Sequence, residues 1–162
     1  MHLAQLLQIL FLMLLANGAP VIAKRIFGPR YTYPIDANVR FYDGRRLFGP
    51  SKTIRGVVCA LILTGIAAPL VGLSVQLGLL IAAGAMAGDL LSSFTKRRLG
   101  RPASSRAIPI DQIPESLLPL LACYTALDLS YLDVLVGVLV FLIGGLLLSR
   151  VLFRLHVRDR PY

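Results

Sequence analysis

Residues 57–91 read VVCALILTGIAAPLVGLSVQLGLLIAAGAMAGDLL, 35 positions interrupted only by Thr64, Ser74, Gln76 and Asp89 among small and apolar side chains. As one helix this run would extend about 50 Å at ~1.5 Å per residue, too long for a hydrocarbon core of ~30 Å. Pro69, Gly72 and Ser74 supply turn chemistry, so the run divides into two spans over about 57–71 and 75–94. Three further apolar segments, over about 3–23, 113–127 and 134–153, bring the expected number of spans to five. With 56% apolar residues and no tryptophan, the chain exceeds the ~45–50% usual for soluble domains. The expectation is a single all-α integral membrane domain over residues 1–162.

The first segment is interrupted by Asn17, Gly18 and Pro20. A proline there frees a backbone carbonyl, leaving either a packed kink or a polar pocket. A signal peptide is the rival reading of this segment, but no Lys or Arg precedes the apolar run as an n-region requires, so a retained span is expected. Cys59 and Cys123 lie far apart in apolar runs without metal-ligand spacing and read as small packing residues. His2 and His156 are terminal and lack ligand partners. Gly137, Gly144 and Gly145 in the last span suggest close helix contact.

Charge placement orients the spans. Five spans put the loops over about 24–56 and 95–112 and the C-terminal end on one side, and those segments hold eight, five and four Lys/Arg, all seventeen of the chain. The positive-inside rule therefore expects the N-terminus outside, the C-terminus in the cytoplasm and any site in these loops facing the cytoplasm of a cell membrane. The net charge of +9 is explained by topology and does not call for nucleic acid. Tyr31, Tyr33, Phe41, Tyr42 and Phe48 are interleaved through the first loop and argue that it is ordered. Nothing in the pattern fixes an oligomeric state.

Acids at a membrane edge are functional candidates because an unpaired charge there costs several kcal/mol. Asp89, Asp111 and Glu115 are such acids, and two carboxylates with a nucleotide's phosphates form the usual Mg²⁺ environment. Pairing of Asp89 with a loop cation is the alternative. Gly49-Pro50-Ser51-Lys52-Thr53 echoes a phosphate loop without its full spacing; it suits either an anion site at a helix start or a cap with lipid-headgroup contacts. Lys96, Arg97 and Arg98 are consecutive, so helical geometry spreads them over about half a circumference and they cannot all face one ligand.

Taken in order, Asp36, Phe41, Asp43-Gly44-Arg45-Arg46, Phe48-Gly49-Pro50-Ser51-Lys52-Thr53, Arg55-Gly56, Gly88-Asp89 with Ser92-Ser93-Phe94, Lys96-Arg97-Arg98-Leu99-Gly100 and Asp111-Gln112 resemble the CDP-archaeol synthase family, related to bacterial phosphatidate cytidylyltransferases. The resemblance implies a five-span enzyme that condenses CTP with a membrane lipid phosphate, releases pyrophosphate and uses Mg²⁺. It implies catalytic roles for Asp89, Lys96 and Asp111, with metal held by Asp89, Asp111 and Glu115. Substrate contacts would come from Asp43, Arg45, Arg46, Ser51, Lys52, Thr53 and Arg55 in the first loop, and from Ser92 and Arg97 beside Asp89. The chain departs from the family pattern in two places. Pro114 stands where a second acid is expected, with Glu115 one position on, and Ala37-Asn38 stands where glycines are common.

Both substrates are anionic, so such a site must neutralise charge and align the attack with the departing pyrophosphate. Two other classes compete. A small transporter component would need ionisable residues near mid-span, and none is found there. A non-enzymatic protein binding anionic lipid through its basic loops would show salt-sensitive binding indifferent to Asp89.

Overall fold

The structure, a computed structural model, describes residues 3–102, 105 and 108–154, with residues 108–109 and 148–154 described by backbone alone. The expectations for His2, Arg106, His156 and the tail arginines Arg158 and Arg160 fall outside the described residues. Five helices follow in order: α1 (Leu3–Phe27), α2 (Ile54–Leu70), α3 (Val75–Arg98), α4 (Ile108–Ala122) and α5 (Tyr131–Arg154). Among the described residues, extended pairing is limited to two isolated antiparallel bridges, Pro34 with Thr53 and Arg40 with Arg46.

The long apolar run breaks between Leu70 and Val75. Gly72 takes φ +82°, the Leu73 N–H closes on the Ala68 carbonyl at 2.9 Å, and Ser74 Oγ accepts from the Leu77 N–H at 3.3 Å to start α3. Thr53 caps α2 in the same way, accepting from the Gly56 N–H at 3.2 Å. Ser130 and Asp133 form a reciprocal capping box at the start of α5, which accounts for a fully buried acid there.

Helices α1 and α3 are long and apolar enough to cross a membrane. Helix α2 exposes Ile54, Val58, Ile62, Ile66 and Leu70, every fourth residue, as one apolar stripe. In water such a stripe would drive association; against lipid chains it is the ordinary surface.

The core is graded along the bundle. At the end away from the loops it is built from Leu6, Ile9, Leu12 and Met13 of α1 with Ile81 and Leu120. Toward the loop-bearing end it narrows to Ala16, Ala19, Ala60, Ala82, Ala85 and Met86, so α1, α2 and α3 draw together. Helices α3 and α4 come closer still. A Cβ on Gly88 would overlap the Pro114 carbonyl and the Glu115 amide, and one on Gly84 would stand 2.7 Å from Pro119 Cα. The two backbones therefore run antiparallel in direct contact, as small residues permit between helices. Gly137 similarly faces Leu120 and Leu6, and Gly145 faces Gln112, whereas Gly144 faces open space.

The first loop is organised by one acid. Asp36, 4% exposed, accepts from the Asn38, Phe48 and Gly49 amides at 3.1, 3.2 and 2.9 Å and pairs with Arg46 at 2.5 Å. Ala37 and Asn38 have φ +43° and +65°, and the Val39 N–H returns to the Asp36 carbonyl at 2.7 Å. Two positive φ angles in succession define a left-handed turn of the kind that favours glycine. The aromatics divide: Tyr31, Tyr33 and Tyr42 are exposed, Phe48 is half-buried, and Phe41 docks edge-on to Phe94 at 5.4 Å. Arg98 lies over both rings at 4.7 and 4.9 Å and pairs with Asp43 at 2.6 Å.

Two outcomes follow. Gly88→Ala should lower thermal stability in detergent by roughly 1–3 kcal/mol, the usual cost of overpacking, while Gly144→Ala leaves it unchanged. Burial alone would raise the Asp36 carboxyl, but Arg46 and the Gly49, Phe48 and Asn38 amides outweigh it and lower the pKa from 3.8 to about 2. Its contribution to loop docking is complete above pH 4 and disappears as pH falls through about 2. Limited proteolysis of residues 28–53 should therefore accelerate over that window, and Asp36→Asn should show the fast rate already at neutral pH.

Candidate active site

The α3–α4 contact determines where the acids stand. Asp89 directly follows Gly88, and Glu115 directly follows Pro114, so the backbone approach sets these carboxyls side by side within hydrogen-bond reach. Asp111 lies one turn before Glu115 on α4, hence on the same face.

These acids line an open cleft of about 470 Å³ at the loop-bearing end of the bundle. Helix α1 contributes Asn17, Pro20 and Lys24, and the turn before α2 contributes Ser51 and Lys52. Helix α3 adds Met86, Asp89 and Lys96, while α4 adds Asp111, Gln112 and Glu115. Three lysines thus face three acids. Lys52 Nζ sits 2.5 Å from both Asp89 carboxylate oxygens, and Lys96 Nζ sits 2.7 Å from Asp111 Oδ1 and donates to the Ser105 carbonyl at 3.0 Å. A smaller adjoining cavity shares Lys52 and Asp89 and adds Thr53, Gly56, Val57 and Leu90.

The remaining sequence-derived candidates stand outside the cleft. Asp43 is held by Arg98, and Arg45 Nη1 donates at 3.0 Å to the Arg97 and Arg98 carbonyls, closing the C-terminus of α3. Arg46 is paired with Asp36. Arg55 Nη1 donates to the Gly28 and Arg30 carbonyls and so ties the start of α2 to the end of α1. Ser92 Oγ donates to the Asp89 carbonyl at 2.9 Å, and Thr53 is committed to its cap. Arg97 points away from Lys96 and donates to the Pro102 carbonyl at 2.6 Å.

Several cleft residues were not singled out from the sequence. Lys24 reads there as one topogenic cation among eight, and Gln112 as the neighbour of an acid. Asn17 and Pro20 did leave a signal, the polar interruption of the first apolar run. Asn17 Nδ2 donates to the Met13 carbonyl at 3.1 Å, and both residues line the cleft, so the interruption opens a polar wall. Gln112 also lines the cleft, and its side-chain amide packs against Gly145 of α5.

Could these residues hold a metal? Among the described residues, no three Asp, Glu, His or Cys side chains stand close enough to form a ready-made cage. Mg²⁺ needs no such cage, since it keeps waters and takes one or two carboxylates together with substrate phosphates. Asp89 and Asp111 meet this donor chemistry.

Helices α1 and α3, long and apolar enough to cross a bilayer, and the exposed apolar stripe of α2 are the surface that an integral membrane protein presents to lipid chains. Curated relatives include the CDP-archaeol synthase of Pyrobaculum islandicum, 32% identical over 153 residues that cover 91% of each chain. That of Pyrobaculum arsenaticum is 34% identical over 124 residues, covering 72% of this chain and 74% of its own. A solved structure described as an intramembrane enzyme for archaeal membrane lipid biosynthesis superposes with a TM-score of 0.76 at 29% identity, covering 88% of this chain and 90% of that one. The CarS-like CDP-archaeol synthase family model matches residues 2–162. On this match, which spans nearly the whole sequence, the chain belongs to the CarS-like CDP-archaeol synthase family.

Proposed function

We propose that this protein is a cytidylyltransferase that activates a membrane lipid phosphate of the archaeol type with CTP, releasing pyrophosphate, at a site facing the cytoplasm. The observation that carries the reading is the single cleft in which three lysines meet three acids at the loop-bearing end of the helices. The cytoplasmic assignment rests on the two basic loops that border this end, under the positive-inside rule.

Each of the two acids assigned to catalysis is paired with a lysine, Asp89 with Lys52 and Asp111 with Lys96. A magnesium nucleotide carries both the cation that the acids would hold and the phosphates that the lysines would take, so binding exchanges partners without stranding a buried charge. Mg²⁺, when bound, would draw charge from the phosphate oxygens it contacts. Lys52 and Lys96 would hold phosphate oxygens on the triphosphate, with Lys24 adding positive potential from α1. A lipid phosphate oxygen would attack the α-phosphorus as the bond to the β-phosphate oxygen breaks, and the electron pair would leave with pyrophosphate. The attacking phosphate is ionised near neutral pH, so no side chain need take a proton.

Arg97, Arg45 and Arg46 have no place in this transfer, since they face other surroundings. The transporter alternative gains no support from the cleft, whose lysines come from the last turns of α1 and α3 and from the turn before α2. The lipid-anchor alternative is weakened because Arg45, Arg46, Arg55 and Arg98 are bonded to protein carbonyls and carboxylates.

The test is incubation of detergent-purified protein with labelled CTP and a panel of isoprenoid-ether and diacyl lipid phosphates. The expected result is label in the lipid and an equal amount of pyrophosphate, both abolished by EDTA. Lys52→Ala and Asp89→Asn should each reduce turnover by on the order of 10²–10³ with helical content retained. Folded wild-type protein that labels no lipid would contradict the assignment.

A further inference from the structure

Among the described residues no tyrosine lies within a helix beyond its first position, and two tyrosines stand where the exposed apolar surfaces of α1 and α2 meet the first loop. Tyr31 is 71% exposed and stands edge-on to Phe27, the last residue of α1, at 6.4 Å. Ile22 and Ile26 of the same helix are exposed as well. Tyr33 is 77% exposed, and its carbonyl accepts from the Ile54 N–H at 3.0 Å, which sets it beside the first residue of the exposed α2 stripe. Arg25 and Arg30 are exposed on the same stretch. Tyr31 also carries a backbone cost: its φ of +57° is a left-handed conformation that bulky residues rarely adopt, and its ring gains only an edge contact in return.

Tyr33 is joined to the turn that carries Lys52. The chain pairs antiparallel at Pro34 and Thr53, and the Ile35 N–H donates to the Lys52 carbonyl at 2.8 Å. Residues 33–35 are therefore held against residues 52–54, with the Tyr33 ring exposed and the Lys52 ammonium turned to Asp89. The depth of one fixes the depth of the other. Tyr42 differs. Its ring packs on Phe41 at 4.4 Å, and Phe41 docks on Phe94 near the end of α3. Helix α3 has 24 residues against 17 in α2, and a short turn joins the two antiparallel, so the end of α3 projects about 10 Å beyond the start of α2. Tyr42 belongs to that projecting part.

We infer that Tyr31 and Tyr33 form an interfacial anchor, inserted at the headgroup–acyl boundary of the bilayer, that holds Lys52 at the depth of the lipid phosphates. The two side chains continue apolar surfaces that face lipid, and tyrosine suits this boundary because its ring is apolar while its hydroxyl meets water and headgroups. The exposed Arg25 and Arg30 match the anionic phosphates of that layer. Tyr33 is thus a positioning residue, acting through its backbone pairing with the Lys52 turn. The anchor stands by itself; its consequence for the substrate rests on the proposed transfer, in which a lipid phosphate then reaches the cleft without leaving the bilayer.

The chain has no tryptophan, so Tyr31→Trp, Tyr33→Trp and Tyr42→Trp each give the full-length protein a single reporter. In phosphatidylglycerol vesicles the first two should emit at shorter wavelength than Tyr42→Trp, and lipids brominated at the upper acyl carbons should quench them at least about twofold more strongly. Emission and quenching of Tyr33→Trp equal to those of Tyr42→Trp would overturn the anchor. Tyr33→Ser supplies a kinetic arm. It should raise KM for a long-chain lipid phosphate in vesicles at least about threefold, leaving kcat, the KM for CTP and turnover of a short-chain, water-soluble phosphate unchanged. An equal loss on both phosphates, or none on either, would overturn the positioning role. If the wild type labels no lipid, the transfer reading fails and the quenching alone decides the anchor.

Discussion

The contact of Gly88 with the Pro114–Glu115 backbone is the constraint on which the site depends. Without a side chain at position 88, α4 can lie directly on α3, and the residues that follow the contact on each helix are acids. An interposed methyl group would separate the helices and with them Asp89 and Glu115. The same approach explains the two prolines of α4. Pro114 and Pro119 face Gly88 and Gly84 respectively, so the positions that lack an N–H donor are also those where the neighbouring backbone comes nearest.

Electrostatics then sort the cations by direction. Three consecutive residues at the end of α3 serve three surroundings: Lys96 the cleft, Arg97 the Pro102 carbonyl just beyond the helix, and Arg98 the aromatic pair and Asp43 that dock the first loop. Successive residues on a helix are turned by ~100°, and that separation is what allows one short run to line the cleft, hold the segment after α3 and dock the first loop. The first loop reciprocates, since Asp36 fixes the turn whose far end presents Ser51 and Lys52.

The division of the long apolar run was legible because it depends on local chemistry at Pro69, Gly72 and Ser74. So was the divergence of the three cations, which follows from helical geometry alone. What each cation meets was not, because the partners come from elements distant in sequence. Gly84 and Gly88 look like any small residues within an apolar run, and only the matching prolines on α4 give them meaning. Asp36 went unassigned because its partners lie 10, 12 and 13 residues onward and no short motif joins them. Ala37-Asn38 was legible only as a departure from the family pattern, and it is the backbone that shows a left-handed turn closing on Asp36.

The central claim is that Asp89 and Asp111 exchange their lysine partners for the cation that accompanies the nucleotide. The most direct measurement is the affinity of CTP for the wild type, Asp89→Asn and Asp111→Asn, each with and without Mg²⁺. The account predicts that Mg²⁺ tightens binding to the wild type and that either substitution removes this gain. An equal Mg²⁺ effect in all three proteins would contradict it.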